Sequence, residues 1–238
     1  MEPVRIITGR AVPLDRSDVD TDQIIPSDWL KRVERTGFDR GLFSEWRDDR
    51  NFVLNDERYQ GANILVAGPN FGTGSSREHA VWALQQYGFD AVISPRFGPI
   101  FVNNATKVGL VPVTVSFELG ERLLRALEDD PSLMLEIDVE TATVEVQSLG
   151  VEERFVLEPS AQHRLVNGLD DIALTLSHAD DISAFGPRPP ASPPPTAASP
   201  GGPPPWPSRL SASLLADVRG SGRRQEGQLR QADNRPVP

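Results

Sequence analysis

The chain has no cysteine. That excludes disulfides, a catalytic thiolate, and thiolate ligation of zinc or an iron-sulfur cluster by its own residues, so any such cluster has to come from a partner. Lysine is scarce as well: Lys31 and Lys107 stand among 24 basic residues, and the other 22 are arginine, which we read as genomic composition rather than function. No apolar run approaches the ~18 to 20 residues that cross a bilayer. The opening Met1-Glu2-Pro3-Val4-Arg5 has neither a basic nor an apolar leader region, so a cytoplasmic location is expected. Positive charge is also in deficit. The net charge of -10 disfavours nucleic acid, whose phosphates a binder normally meets with a basic face, and leaves small organic anions held by a local arginine.

What is present divides the 238 residues in two. Composition changes after Phe185, and the stretch from Gly186 to Pro238 holds 13 of the 22 prolines. Such a segment buries too little apolar surface to offset its ordering entropy, so a disordered, passive tail is expected over 186–238. A docking ligand for a proline-binding domain, or a change of reading frame near Phe185, would leave the same composition. Its seven arginines outnumber three acids, which leaves residues 1–185 at -14 when the tail's +4 is removed from the chain's -10.

Within 1–185, short apolar runs alternate with amphipathic ones. Asn63 to Ala67, Asp90 to Ser94 and Leu110 to Val115 read as strands, with helices at Ser75 to Tyr87 and Ile100 to Val108 between them. This β-α-β-α-β order implies an α/β domain with a mostly parallel core sheet and right-handed crossovers. A helix at Leu119 to Glu128 follows. Leu133 to Val139, Thr143 to Val146 and Arg154 to Leu157 then alternate as antiparallel strands do, and Gln162 to Leu176 reads as a closing helical region.

The most informative run is Gly68-Pro69-Asn70-Phe71-Gly72-Thr73-Gly74-Ser75-Ser76-Arg77-Glu78-His79-Ala80, between the first of those strands and its helix. A strand, a glycine turn (Gly72, Thr73, Gly74) and a helix N-terminus bring backbone N–H groups and a positive dipole end to one point, suited to a carboxylate or phosphate. Ser75 to Glu78 also fits the capping box S-x-x-E, in which the serine only caps the helix. Two features favour an anion. Three glycines in seven residues exceed what a cap needs, and Arg77 in a first helical turn opposes the dipole unless a negative charge offsets it.

Other loop types fail on spacing. Arg77 occupies the position where a dinucleotide fingerprint needs Gly or Ala, no lysine is near for a Walker A site, and Gly-x-Ser-x-Gly is missing. His79 has no second histidine at metal spacing and reads as a structural, hydrogen-bonding residue. Asp18-Val19-Asp20-Thr21-Asp22 opens like a calcium loop, but Gln23 and Trp29 stand where Gly and Glu are required, leaving an Asp-rich turn. Lys31, Arg32 and Arg35 form a solvated face or meet an acidic ligand.

Gly74-Ser75-Ser76-Arg77-Glu78-His79-Ala80, preceded by Thr21-Asp22-Gln23-Ile24-Ile25-Pro26, resembles the aconitase superfamily and within it the bacterial 3-isopropylmalate dehydratase small subunits. Arg96-Phe97-x-x-Ile100-Phe101-x-x-Asn104-x-x-x-x-Gly109-Leu110 and Gly168 to Leu176 extend the likeness in order and spacing over roughly residues 5–185. The resemblance implies a swivelling β/β/α domain that closes over a large subunit carrying a [4Fe-4S] cluster. It implies a hydro-lyase reaction of leucine biosynthesis, interconverting 2-isopropylmalate and 3-isopropylmalate. It also implies that Ser75 is the base, that Ser76 and Arg77 contact substrate, and that Thr21 and Asp22 line the active face. By the same likeness, the segment from Ser27 to Gly37, with Leu30, Lys31, Arg32 and Val33, selects the substrate side chain. A related hydro-lyase acting on citramalate, homoaconitate or another substituted malate, or a non-catalytic anion-binding module, would share these motifs.

Overall fold

In a computed structural model, residues 1–31 and 34–185 are described and form a compact unit. Arg32, Val33 and the proline-rich segment from Gly186 lie outside the described residues. The seven strands among the described residues are β1 (Ile6–Leu14), β2 (Ile64–Ala67), β3 (Ala91–Ser94), β4 (Val111–Thr114), β5 (Met134–Asp138), β6 (Thr143–Val146) and β7 (Val151–Arg154). They make one sheet in the order β4-β3-β2-β1-β5-β6-β7. The described helices are α1 (Thr21–Ile24), α2 (Ser44–Arg47), α3 (Glu78–Tyr87), α4 (Pro99–Val108), α5 (Phe117–Asp129), α6 (Pro159–Asn167), α7 (Asp171–Leu176) and α8 (Ala179–Phe185).

β1 to β4 pair in parallel, and β5 to β7 extend the sheet antiparallel, so the expected α/β plan is present. β1 joins the two halves. Its first part, Ile6 to Arg10, runs antiparallel to β5, and its last part, Ala11 to Leu14, runs parallel to β2. The burial follows this change: Ile6 and Thr8 are exposed beside buried Ile7 and Gly9, whereas Ala11 to Leu14 are all buried. Sequence reading missed this strand. Gly9 and Pro13 both weaken a strand signal, and Pro13 sits opposite Val66 in the middle of the sheet, where proline is ordinarily excluded.

α5 covers one face through Leu119, Leu123, Leu124 and Leu127, spaced for one side of a helix, and Ser116 caps it by accepting from the Leu119 N–H at 3.2 Å. α3 and α4 cover the other face, together with the long segment between β1 and β2, whose Val19, Ile24, Ile25, Phe38, Leu42 and Phe43 are fully or almost fully buried. That packing fixes the segment carrying Thr21 and Asp22 against the end of β2. Boundaries near the C-terminal end of this unit differ from expectation. The third antiparallel strand is Val151–Arg154 rather than Arg154 to Leu157, and the closing region breaks at Gly168, a left-handed residue (φ 66°) after α6.

Candidate active-site loop

β2 ends at Ala67, and the chain then enters the glycine loop with neighbours on both sides. On one side, the Gly72 and Thr73 N–H groups donate to the Val19 carbonyl at 2.7 and 3.3 Å, and the Thr21 N–H donates to the Thr73 carbonyl at 3.0 Å. On the other, the Phe71 N–H donates to the Arg96 carbonyl at 3.0 Å and the Gly98 N–H to the Phe71 carbonyl at 2.9 Å. The loop is therefore built like a short extra strand between two segments. The Gly72 and Thr73 N–H groups are thereby committed to Val19 and are not free for an anion.

Gly72 has no alternative residue. Its φ is 71°, and a Cβ there would stand 2.4 Å from the Phe101 ring. Gly72→Ala is expected to cost at least ~2 kcal/mol, combining left-handed strain with overpacking. Gly150, at φ 60° with nothing within 4 Å of such a Cβ, is the control: Gly150→Ala should cost only ~1 kcal/mol. Thermal unfolding of the two variants checks the difference.

The capping box that the spacing of Ser75 and Glu78 would allow is not formed. α3 begins at Glu78, and its N-cap position is Arg77, extended at φ -135° and ψ 104°, with no side-chain cap bond. The reason is tertiary: the Thr21 hydroxyl donates to the Ser75 carbonyl at 3.0 Å, and the chain stays outside the helix until Arg77. Ser75 and Ser76 are exposed, and among the described residues the Ser75 Oγ has no hydrogen-bond partner. A capping box does exist nearby, on α1. The Asp20 carboxylate accepts from the Gln23 N–H at 2.8 Å while the Gln23 side chain accepts from the Asp20 N–H at 3.0 Å. It places Thr21 and Asp22 in a first helical turn facing the loop.

Asp22 forms an ion pair with Arg77 through Nη1, and the same nitrogen donates to the Ile25 carbonyl at 3.5 Å. The Arg77 side chain is only 16% exposed. The unfavourable position of Arg77 near the positive end of α3 thus finds its offset inside the protein, and an external anion is not needed to explain it. Among the described residues the Nε and Nη2 edge of the guanidinium is uncommitted, and that edge matches a carboxylate with two parallel bonds.

Five of the expected site residues, Thr21, Asp22, Ser75, Ser76 and Arg77, therefore come together. Thr21 is buried and spends its hydroxyl on Ser75, a holding role rather than an exposed contact. Lys31 is exposed and pairs with Asp28 at 2.8 Å, not with the loop; the Lys31 hydrogen bond holds the Asp28 carboxyl below its usual range. Leu30 is half-buried on the same short turn, and Arg32 and Val33 fall outside the described residues. His79 packs edge-on between Phe38 and Trp82, at 5.2 and 4.8 Å, so its place among the described residues is structural but made by ring contacts rather than by the hydrogen bond expected of it.

The face around Ser75 is open. The hollow beside the loop, lined by Gly72, Thr73, Gly74, Gly98, Pro99 and Ile100, holds about 120 Å³. A typical small-molecule pocket is roughly 300 to 1,000 Å³. A cleft of about 410 Å³ lies elsewhere, between Arg16, Phe52 and Tyr59, and contains none of the loop residues.

The family model of the aconitase C-terminal domain matches residues 1–118. A 3-isopropylmalate dehydratase small subunit from Frankia alni is 60% identical over 191 residues, covering 80% of this chain and 97% of the relative. One from Rubrobacter xylanophilus is 56% identical over 185 residues, covering 78% and 94%. The crystal structure of 3-isopropylmalate dehydratase (leuD) from Methanocaldococcus jannaschii superposes with a TM-score of 0.57 at 27% identity, covering 76% of this chain and 99% of that one.

Proposed function

This chain belongs to the 3-isopropylmalate dehydratase small-subunit family, and from that premise we propose that its glycine loop is the small-subunit half of a hydro-lyase active site. Its α/β fold is the aconitase-like swivelling domain. The reaction is the interconversion of 2-isopropylmalate and 3-isopropylmalate by loss and return of water, in leucine biosynthesis, with a large subunit as partner. A cytoplasmic location goes with that reading.

The observation that carries the site assignment is a serine hydroxyl free of capping, beside a pre-oriented arginine, on an open face. The proton lost lies alpha to a carboxylate, and a positioned base has to take it. Ser75 is that base. A serine hydroxyl is too weakly acidic to ionise in water near pH 7, so the N-terminus of α3 and the Arg77 guanidinium have to stabilise the alkoxide. Arg77 grips a substrate carboxylate through its Nε and Nη2 edge while Asp22 keeps Nη1, and Ser76 supplies a further contact. By the family likeness we assign selection of the substrate side chain to the segment 27–37, in which Leu30 and Lys31 are the described candidates.

This chain's own residues do not fit an iron-sulfur cluster. It has no cysteine, and the described residues hold no group of three His, Asp or Glu side chains able to bind a metal. We place the [4Fe-4S] cluster on the large subunit, where it would supply the Lewis acid for the departing hydroxyl.

The test is to assemble the chain with a large subunit and assay isopropylmalates against citramalate and homoaconitate. Preference for isopropylmalate supports this reading, preference for another diacid moves it to a related hydro-lyase, and a colourless chain that binds dicarboxylates alone makes it a binding module. We also propose that residues 1–185 are the working domain. Matches of 185 to 191 residues already cover 94 to 97% of these relatives, so deletion from Gly186 should leave assembly and turnover intact, and a defect in either would give that segment a role.

A further inference from the structure

Asn104, part of the motif running from Arg96 to Leu110, has been given no role, yet it is only 8% exposed and its side chain reaches the loop at Ser76. It lies in α4, whose start is fixed to the glycine loop by direct contact. The Gly98 N–H donates to the Phe71 carbonyl at 2.9 Å, and a Cβ on Gly98 would stand 2.3 Å from the Gly72 carbonyl oxygen. One helical turn on, Phe101 meets Phe71 edge-on at 5.3 Å and stacks on Phe97 at 5.9 Å. Another turn on, the Asn104 Nδ2 donates to the Ser76 Oγ at 3.5 Å. Gly98, Phe101 and Asn104 share one face of the helix at a spacing of three.

A hydroxyl has one proton and two lone pairs, whereas an amide NH₂ has protons and no acceptor. With Asn104 donating, one lone pair of Ser76 is occupied, and the Ser76 proton has to point elsewhere. The open direction is the exposed face shared with Ser75 and Arg77. We propose that Asn104 is a positioning residue that fixes the polarity of Ser76, so that this serine presents its proton, not its lone pairs, to the substrate carboxylate. This rests on the reading of Ser76 as a substrate contact. A contact of 3.5 Å is long, and active-site hydrogen bonds commonly shorten when substrate arrives.

The test is a double-mutant cycle in the assembled enzyme, with KM and kcat measured separately. Asn104→Ala should lower kcat/KM about 10-fold, mostly through KM, because the freed hydroxyl no longer holds one orientation. Asn104→Asp should do worse, roughly 100-fold, since an ionised carboxylate accepts the hydrogen bond of the Ser76 hydroxyl, turning it away from the substrate, and sets a negative charge beside the substrate's own. In a Ser76→Ala background, Asn104→Ala should add no further loss. Equal losses in both backgrounds, or Asn104→Asp matching Asn104→Ala, overturn the proposal and leave Asn104 as helix packing. Full activity in Ser76→Ala itself overturns the substrate-contact reading and the proposal with it. If Asn104→Ala fails to fold, Asn104→Asp, of the same size, carries the cycle.

Discussion

Ser75→Ala, assembled with the large subunit, is expected to fold normally and lose at least ~100-fold in turnover, the scale of a lost proton-transfer group. The structure separates this outcome from a folding defect. Ser75 is exposed, its Oγ makes no hydrogen bond among the described residues, and α3 does not depend on it for a cap. What holds the residue in place is its carbonyl, through Thr21, and alanine keeps that carbonyl. Thermal stability should therefore change by no more than ~0.5 kcal/mol, as for an ordinary surface substitution. Near-normal turnover would remove Ser75 from the chemistry.

The second large effect concerns Arg77. Arg77→Lys keeps one positive charge and can keep the ion pair with Asp22, but an ammonium lacks the planar fork that meets a carboxylate with two parallel bonds. Losing one such charge-assisted bond costs roughly 1.5 to 3 kcal/mol, so kcat/KM should fall on the order of 10- to 100-fold. Wild-type kinetics in this variant would refute the carboxylate clamp. The comparison is informative because lysine keeps a positive charge beside Asp22 and removes the planar edge assigned to the substrate.

The loop itself was legible in the sequence. Gly72, Gly74, Ser75 and Arg77 form a local pattern, and local patterns survive without tertiary knowledge. The roles of its neighbours were not legible, because they depend on contacts between distant residues. Whether Ser75 caps α3 turns on a hydroxyl 54 positions away, and the charge that balances Arg77 comes from Asp22, 55 positions away. Asn104 stood out only as one position of the motif from Arg96 to Leu110, and its contact with Ser76 was not legible, since only the fold shows which loop it faces. β1 was hidden for a different reason. It belongs to two kinds of sheet at once, so its alternating half and its fully buried half each look too short, and Pro13 argues against the strand it occupies.

The most direct test of Ser75 as the base is the chemical step alone. In a single turnover at saturating 2-isopropylmalate, the formation of the unsaturated diacid is followed by absorbance, with substrate affinity measured on the same preparation. If Ser75 takes the proton, assembled Ser75→Ala should bind the diacid within a few-fold of wild type and form the unsaturated product at least ~100-fold more slowly. Elimination at the wild-type rate would contradict that assignment.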